Sequence, residues 1–317
     1  MKTYFKLFRA PNLLIIIVLE YLLKTAVFEK LLSVEGIAYP INQIWFGLFV
    51  VSTVFVAIAG YIVNDIADVE IDKINRPDRA LSSGVISISQ AKSLQWFFEI
   101  AAIILGFSVA YHIGQPSLVN IHILLIFLLR TYAKKLKCKG LIGNITVAIS
   151  TATVPAWVWI YSIFALQTSL PNTSFDFSFI NLITLFYIGF AFIFTLIREI
   201  VKDLEDLKGD KECNCNTLAV SLPLQKVKNW VIVLNAIAIQ GILVFIWLLF
   251  NRLPEVEIIA KGETLFAANF ISIAIVILIH IIPKTIKANS SLDFHKIGNT
   301  LKIVMVAGIA QMLFLLM

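Results

Sequence analysis

Charged residues are scarce in this chain. Asp, Glu, Lys and Arg make up 15% of its 317 residues, against about 25% in an ordinary soluble domain. With 59% hydrophobic residues, that scarcity excludes a soluble globular fold, and no polar stretch is long enough to form a separate soluble domain. Cysteine occurs three times, as Cys138, Cys213 and Cys215. Cys213-Asn214-Cys215 has no second Cys or His pair to complete the four ligands of a structural zinc site. The four histidines, His112, His122, His280 and His295, are scattered and form no metal-ligand pair. The amino terminus lacks a small-residue cleavage site after a short apolar core, so no signal peptide is expected.

What is present is apolar sequence in runs of about 17–25 residues from end to end, the signature of a polytopic helical membrane protein. The runs predict an all-α chain of about nine transmembrane helices, residues 1–317 forming one intramembrane domain around a central cavity. They fall at Pro11–Leu32, Ile41–Asn64, Leu94–Tyr111, Leu118–Tyr132, Leu141–Phe164, Phe179–Ile200, Trp230–Phe250, Leu265–Ile282 and Ile303–Met317.

The net charge of +6 would suit nucleic acid, but its distribution argues for a membrane instead. Lys2, Lys6 and Arg9 precede the first run, and Lys73, Arg76, Arg79 and Lys92 follow the second. Arg130, Lys134, Lys135, Lys137 and Lys139 close the fourth. Arg198, Lys202, Lys208, Lys211, Lys226 and Lys228 follow the sixth, and Lys284, Lys287, Lys296 and Lys302 follow the eighth. The remaining basic residues are Lys24, Lys30, Arg252 and Lys261. By the positive-inside rule the amino terminus is cytoplasmic and the carboxyl terminus lies outside. The protein is thus expected to be a multi-pass protein of the cell's inner (plasma) membrane. All three cysteines then face the cytoplasm, where reduced thiols are expected.

Two acid clusters end apolar runs on that same side. The first is Asn64-Asp65-Ile66-Ala67-Asp68-Val69-Glu70-Ile71-Asp72, and the second runs from Asp203 through Asp206 to Asp210. Carboxylates near a bilayer are costly and seldom lack a task. On a helix Asn64, Asp68 and Asp72 share one face with Asp65 beside them, and Asp203, Asp206 and Asp210 share another with Glu199. Two such faces brought together supply oxygen ligands for Mg²⁺, which usually brings a phosphate-bearing substrate. Like charges on one helix face repel, and a bound cation is the simplest remedy. Arg76 and Arg79 follow the first cluster and can fork onto phosphate oxygens. The rival reading of each cluster is a solvated helix end. Glu20 and Lys24, four residues apart in the first run, with Glu99 in the third, are expected to form a buried pair that fixes packing at least as readily as they bind substrate.

The form Asn-Asp-x-x-Asp-x-x-x-Asp after the second run, with an Asp-rich motif after the sixth and nine runs in all, resembles the UbiA superfamily of intramembrane prenyltransferases. The likeness spans essentially the whole chain. Asp72-x-x-Asn75-x-Pro77-x-Arg79, with Arg198-Glu199-Ile200-Val201-Lys202-Asp203 beginning the second motif, looks most similar to digeranylgeranylglyceryl phosphate synthase-like members. Ala80 stands where they usually have proline. The resemblance implies Mg²⁺-dependent transfer of a polyprenyl group from a prenyl diphosphate to a lipid-soluble acceptor, through an allylic carbocation. The acceptor it implies first is the hydroxyl of geranylgeranylglyceryl phosphate. It implies metal ligation by Asn64, Asp65, Asp68, Asp72, Asp203, Asp206 and Asp210, with Asp68, Asp72, Asp206 and Asp210 catalytic. Arg76, Arg79, Tyr132, Lys137, Asn144, Arg198 and Lys202 are implied on the substrate, with Lys137 matching a lysine that meets the diphosphate.

Two alternatives stay open. One is the same chemistry on an aromatic quinone precursor or a tetrapyrrole. The other is a cation-coupled transporter, although transporter ion sites usually lie at broken helices near the bilayer midplane.

Overall fold

The computed structural model describes residues 2–170, 176–252 and 260–316. Side chains of Arg252 and Lys261 lie outside the described residues. Among the described residues there is no β-strand beyond one isolated bridge between Lys139 and Asn216. In hydrocarbon the backbone must satisfy its own polar groups, so an apolar run folds as a helix.

Nine helices among the described residues are long and apolar enough to cross a membrane: α1 Ala10–Val34, α2 Gln43–Ala67, α3 Ile88–His112, α4 Pro116–Leu136, α5 Leu141–Ser169, α6 Ser178–Glu205, α7 Leu224–Asn251, α8 Thr264–Lys287 and α9 Ser291–Leu316. Three begin well before the apolar signal does: α3, α9 and α7, the last at Leu224 rather than Trp230. The Ser87 hydroxyl accepts from Gln90 N–H while the Gln90 side chain accepts from Ser87 N–H, a capping box that starts α3 at Ile88 rather than Leu94. Ser290 and Asp293 do the same for α9, which begins at Ser291 rather than Ile303. At the head of α2 the Asn42 side chain accepts from Ile44 and Trp45 N–H, both at 3.1 Å.

Helix α6 is central, packed against α5, α7 and α9, while α2 packs against α3, α4 and α1. Helix α1 runs between the two groups and touches α5, α6 and α9. Among the described residues three π-helical turns interrupt the regular helices, at Leu23–Glu29, Tyr132–Leu136 and Ile277–Ile281. Such turns shift side-chain directions and recur at functional sites.

The polar groups inside the membrane differ from expectation. Glu20 and Lys24 are both buried, but they do not pair. Lys24 Nζ donates to Glu29 and Gln43 instead, because the π-helical turn swings it away from Glu20. Glu99 is clamped by Arg130, whose guanidinium also lies 4.1 Å over the Trp96 ring. Buried Lys228 reaches from α7 to donate to the Ile286 and Ala288 carbonyls at 2.6 and 2.9 Å, where α8 ends.

Candidate active site

The two acid segments are not continuous helix faces. Helix α2 stops at Ala67, and Asp68 (φ −91°, ψ 0°) turns the chain into a short helix, Val69–Asn75. Helix α6 stops at Glu205, and Asp206 (φ −90°, ψ 4°) turns the chain into a second short helix, Leu207–Glu212. Both acids adopt the sparsely populated bridge conformation common among active-site residues. A straight helix would have kept Asp72 and Asp210 in line with their helices. Across these turns Asp68, Asp72, Asp203, Asp206 and Asp210 line one pocket.

The side chain of Asn75 joins the two segments. Its Nδ2 donates to the Asp206 carbonyl at 3.2 Å, and its Oδ1 accepts from Gly209 N–H at 3.1 Å. A Cβ at position 209 would lie 2.5 Å from Asn75 Nδ2, so the approach requires glycine. Beside it Arg76 reaches Asp206 at 2.8 Å and Glu205 at 3.4 Å.

A third wall comes from the α4–α5 connection. The π-helical turn Tyr132–Leu136 ends with Lys137 N–H donating to the Tyr132 carbonyl, and both side chains line the pocket. Lys137 Nζ donates to Asp68. Asn144, in the first turns of α5, donates to Asp203 at 2.9 Å, and Thr217 donates to Asp210 at 3.1 Å.

The structure supplies cations and amides to nearly every acid. Arg79 holds Asp72 at 2.6 Å and touches Asp65 at 3.3 Å, and Arg9 holds Asp65 at 2.6 Å. Arg198 and Lys202 both address Glu199, at 2.9 and 3.7 Å. Among the described residues no three acids converge as a ready metal cage. The pocket encloses about 30 Å³, space for a water but not for a diphosphate.

The local charges tune the acids unequally. Burial works to raise the Asp68 carboxyl, but Lys137 and its hydrogen bond, with Lys202 and Arg79, hold it below the usual range. Burial raises Asp72 despite Arg79, and the Asp68 and Asp65 charges add to the rise. Burial pushes Asp210 up to about 6; the Thr217 hydrogen bond opposes this and the Asp206 charge assists it.

Of the residues expected at the site, Arg76, Tyr132, Lys137, Asn144 and Lys202 line the pocket with the five aspartates. Asn64 stands behind it and donates to Asp68 at 2.9 Å. Asp65 and Arg79 lie outside the lining, bound to each other, and so does Arg198. Arg9, Asn75 and Thr217 were not foreseen. Arg9 and Asn75 act across 56 and 131 positions, and Asn75, though part of the quoted motif, carried no assigned role; Thr217 acts on Asp210 seven residues away.

The expectation of three reduced cysteines is corrected. Cys138 and Cys215 form a disulfide, and Cys213 is free. The loops meet because Gly140 N–H donates to the Asn216 carbonyl at 3.0 Å, beside the Lys139–Asn216 bridge.

Hard carboxylate oxygens on a shared pocket suit Mg²⁺, which takes one or two carboxylates and completes its shell with phosphate and water oxygens. Comparison with known proteins agrees with this architecture. The family model described as the UbiA prenyltransferase family matches residues 31–280. The chain is 33% identical over 308 residues to a digeranylgeranylglyceryl phosphate synthase from Sulfurisphaera tokodaii, covering 94% of this chain and 95% of that one. It is 35% identical over 256 residues to the synthase of the same description from Sulfolobus acidocaldarius, covering 79% and 81%. A solved digeranylgeranylglyceryl phosphate synthase structure superposes with a TM-score of 0.65 at 22% identity, over 99% of this chain and 97% of that one. A UbiA homologue from Archaeoglobus fulgidus bound to GPP and Mg²⁺ superposes with a TM-score of 0.58 at 13% identity, over 98% and 99%. The helix order, the paired acid segments and these likenesses converge: the chain is a multi-pass membrane protein and belongs to the UbiA prenyltransferase family.

Proposed function

We propose that this protein transfers a geranylgeranyl group from its diphosphate to the hydroxyl of geranylgeranylglyceryl phosphate, at the cytoplasmic face of the cell membrane. The observation that carries the chemistry is the single pocket shared by Asp68, Asp72, Asp203, Asp206 and Asp210, with Arg76, Lys137 and Lys202 on its walls. The acceptor is supported by the full-length likeness to relatives of that description. The orientation is supported by the basic residues that flank the acid segments.

Asp68 and Asp72 on one side, and Asp203, Asp206 and Asp210 on the other, would hold Mg²⁺; the metal neutralises charge on the leaving diphosphate. Lys137, Lys202 and Arg76 bind the phosphate oxygens and stabilise the charge that grows as the allylic C–O bond breaks. Tyr132 lines the same pocket, and an aromatic side chain there stabilises an allylic cation. The acceptor hydroxyl oxygen then bonds to the cationic C1 and loses its proton, leaving an ether and free diphosphate. The isoprenoid lies among the apolar helices while its diphosphate stays at the rim.

The test is incubation of the purified protein with Mg²⁺, geranylgeranyl diphosphate and a panel of acceptors, followed by product masses. Formation of the second ether on geranylgeranylglyceryl phosphate is expected. Prenylation of an aromatic acceptor instead, or no diphosphate release with any acceptor, would overturn the reading.

A further inference from the structure

Beside the acid pocket lies a second group of charges, which meets the diphosphate chemistry only through Lys202 and its partner Glu199. Its centre is Glu199 on α6, 9% exposed. Arg198 and Lys202 both pair with this one carboxylate, and Arg9 and Lys137 act on it at longer range. Lys302 on α9 feels Arg198, Arg76 and Lys202 as like charges and Glu205 as its opposite, and it forms no ion pair among the described residues. Arg198 and Lys202 thus share one carboxylate, with Lys202 also acting on Asp68 and Asp210, and Lys302 adds a third, exposed cation beside them. Arg9, Arg198 and Lys302 do not line the acid pocket, whereas Lys202 and Glu199 do. The group therefore adjoins the pocket and shares a wall with it.

The chain is shaped to bring Arg9 there. Arg9 has a left-handed backbone, φ 52° and ψ 50°, between the short helix Lys2–Leu7 and α1. That conformation is unfavourable for a residue with a long side chain, and strain of this kind collects at ligand sites. The strained turn sets the guanidinium 4.7 Å over the Tyr61 ring and 2.6 Å from Asp65. Burial disfavours its charge, but Asp65 outweighs that and holds the guanidinium firmly protonated. Helix α1, which Arg9 precedes, packs against α6 and α9, which carry Arg198 and Lys302 and pack against each other.

Half-buried Arg9 and Arg198 with exposed Lys302 fit a dianion, and a phosphate monoester carries about −1.5 to −2 charges at neutral pH. In a glyceryl phosphate the accepting hydroxyl lies within two carbons of the ester oxygen. A phosphate held beside the acid pocket would therefore present that hydroxyl to the pocket. We infer that Arg9, Arg198 and Lys302 form a binding subsite for the phosphate monoester of the acceptor, separate from the donor diphosphate and sharing only the Lys202 wall with it. Glu199 keeps Arg198 and Lys202 oriented before the acceptor arrives. The inference rests on the proposed function for the identity of the acceptor, and on geometry for the place where its phosphate sits.

The test pairs side-chain removal with phosphate removal. Steady-state kinetics are measured for the wild type, Arg198→Gln and Lys302→Gln, each with geranylgeranylglyceryl phosphate and with its dephosphorylated analogue, geranylgeranylglycerol. Each variant should raise KM for the phosphorylated acceptor by about tenfold or more, the loss of one charge-assisted contact. KM for geranylgeranyl diphosphate and kcat should stay within about twofold. With geranylgeranylglycerol the wild type should already show the raised KM, and the variants should add little. Arg198→Lys should recover part of the loss, and melting temperatures in detergent identify any variant that merely unfolds. Equilibrium binding of both acceptors to the wild type without donor gives a reading independent of turnover. Equal wild-type binding of the two acceptors would overturn the inference. So would variants that raise the donor KM instead, or that weaken both acceptors alike. If the ether lipid forms but these contrasts are missing, the subsite falls and the proposed function stands. If only an aromatic acceptor reacts, the proposed function falls with it.

Discussion

Asn75 and Gly209, 134 positions apart in the chain, lock the two acid segments together through one amide side chain. The Asn75 amide satisfies a backbone acceptor at Asp206 and a backbone donor at Gly209, and the absence of a side chain at 209 makes room for it. The relation of the two aspartate groups is therefore set by this clasp as well as by the long helices.

Gly209→Ala should break the clasp. Its Cβ would stand 2.5 Å from Asn75 Nδ2, an overlap that costs about 1–3 kcal/mol when a packed group must move. Asn75→Ala should lose activity in the same way without the clash, because it leaves two backbone groups unpaired. Turnover should fall by about tenfold or more in both, with KM for Mg²⁺ raised. Unchanged Mg²⁺ dependence in both variants would show that the clasp does not set the acid geometry.

Metal binding should depend on pH through Asp210. Burial raises its carboxyl to about 6 in the metal-free protein, so below that pH it is protonated and must lose a proton to become a ligand. Apparent Mg²⁺ affinity should therefore rise as pH increases through 6 and level off above about 7. The Thr217 hydrogen bond lowers the Asp210 value, so Thr217→Val should move the midpoint upward. Mg²⁺ titrations of turnover between about pH 5 and 8 check both directions, and a midpoint moving downward in the variant would contradict the account.

The Cys138–Cys215 bridge ties the segment after Lys137 to the segment before Thr217. The two cysteines are 77 residues apart, and a native disulfide closing a loop of that order typically contributes about 2–4 kcal/mol. Cys138→Ser should lower the melting temperature and raise KM for the donor, because Lys137 loses an anchor next to it. Alkylation followed by mass analysis should label Cys213 alone before treatment with a dithiol, and all three cysteines after it.

The fold was legible from hydropathy because a run of apolar residues in lipid has one way to satisfy its backbone. The start of α9 was not, because Ser291 to Lys302 is polar and only the Ser290–Asp293 capping box marks it. The acid motifs were legible as oxygen donors with basic neighbours. Their picture as straight helical faces fails because both helices end at an aspartate, Asp68 and Asp206, and no local signal such as proline or glycine marks either bend. The Arg9–Asp65 pair spans 56 positions, and Asn75 reaches Asp206 across 131. Spacing along one sequence carries no information about such contacts. The disulfide was hidden for the same reason: Cys213 and Cys215 are equivalent by spacing, and only the meeting of Gly140 with Asn216 selects Cys215.

The central claim is that two acid segments make one diphosphate site, and the most direct test is turnover of geranylgeranyl diphosphate by Asp68→Ala and Asp206→Ala. Each substitution removes one carboxylate from a different segment of the shared pocket. The account predicts that each alone loses at least about a hundredfold in kcat, the scale seen when a group stabilising transition-state charge is removed, while both proteins stay folded in detergent. Near-normal turnover in either folded variant would contradict it.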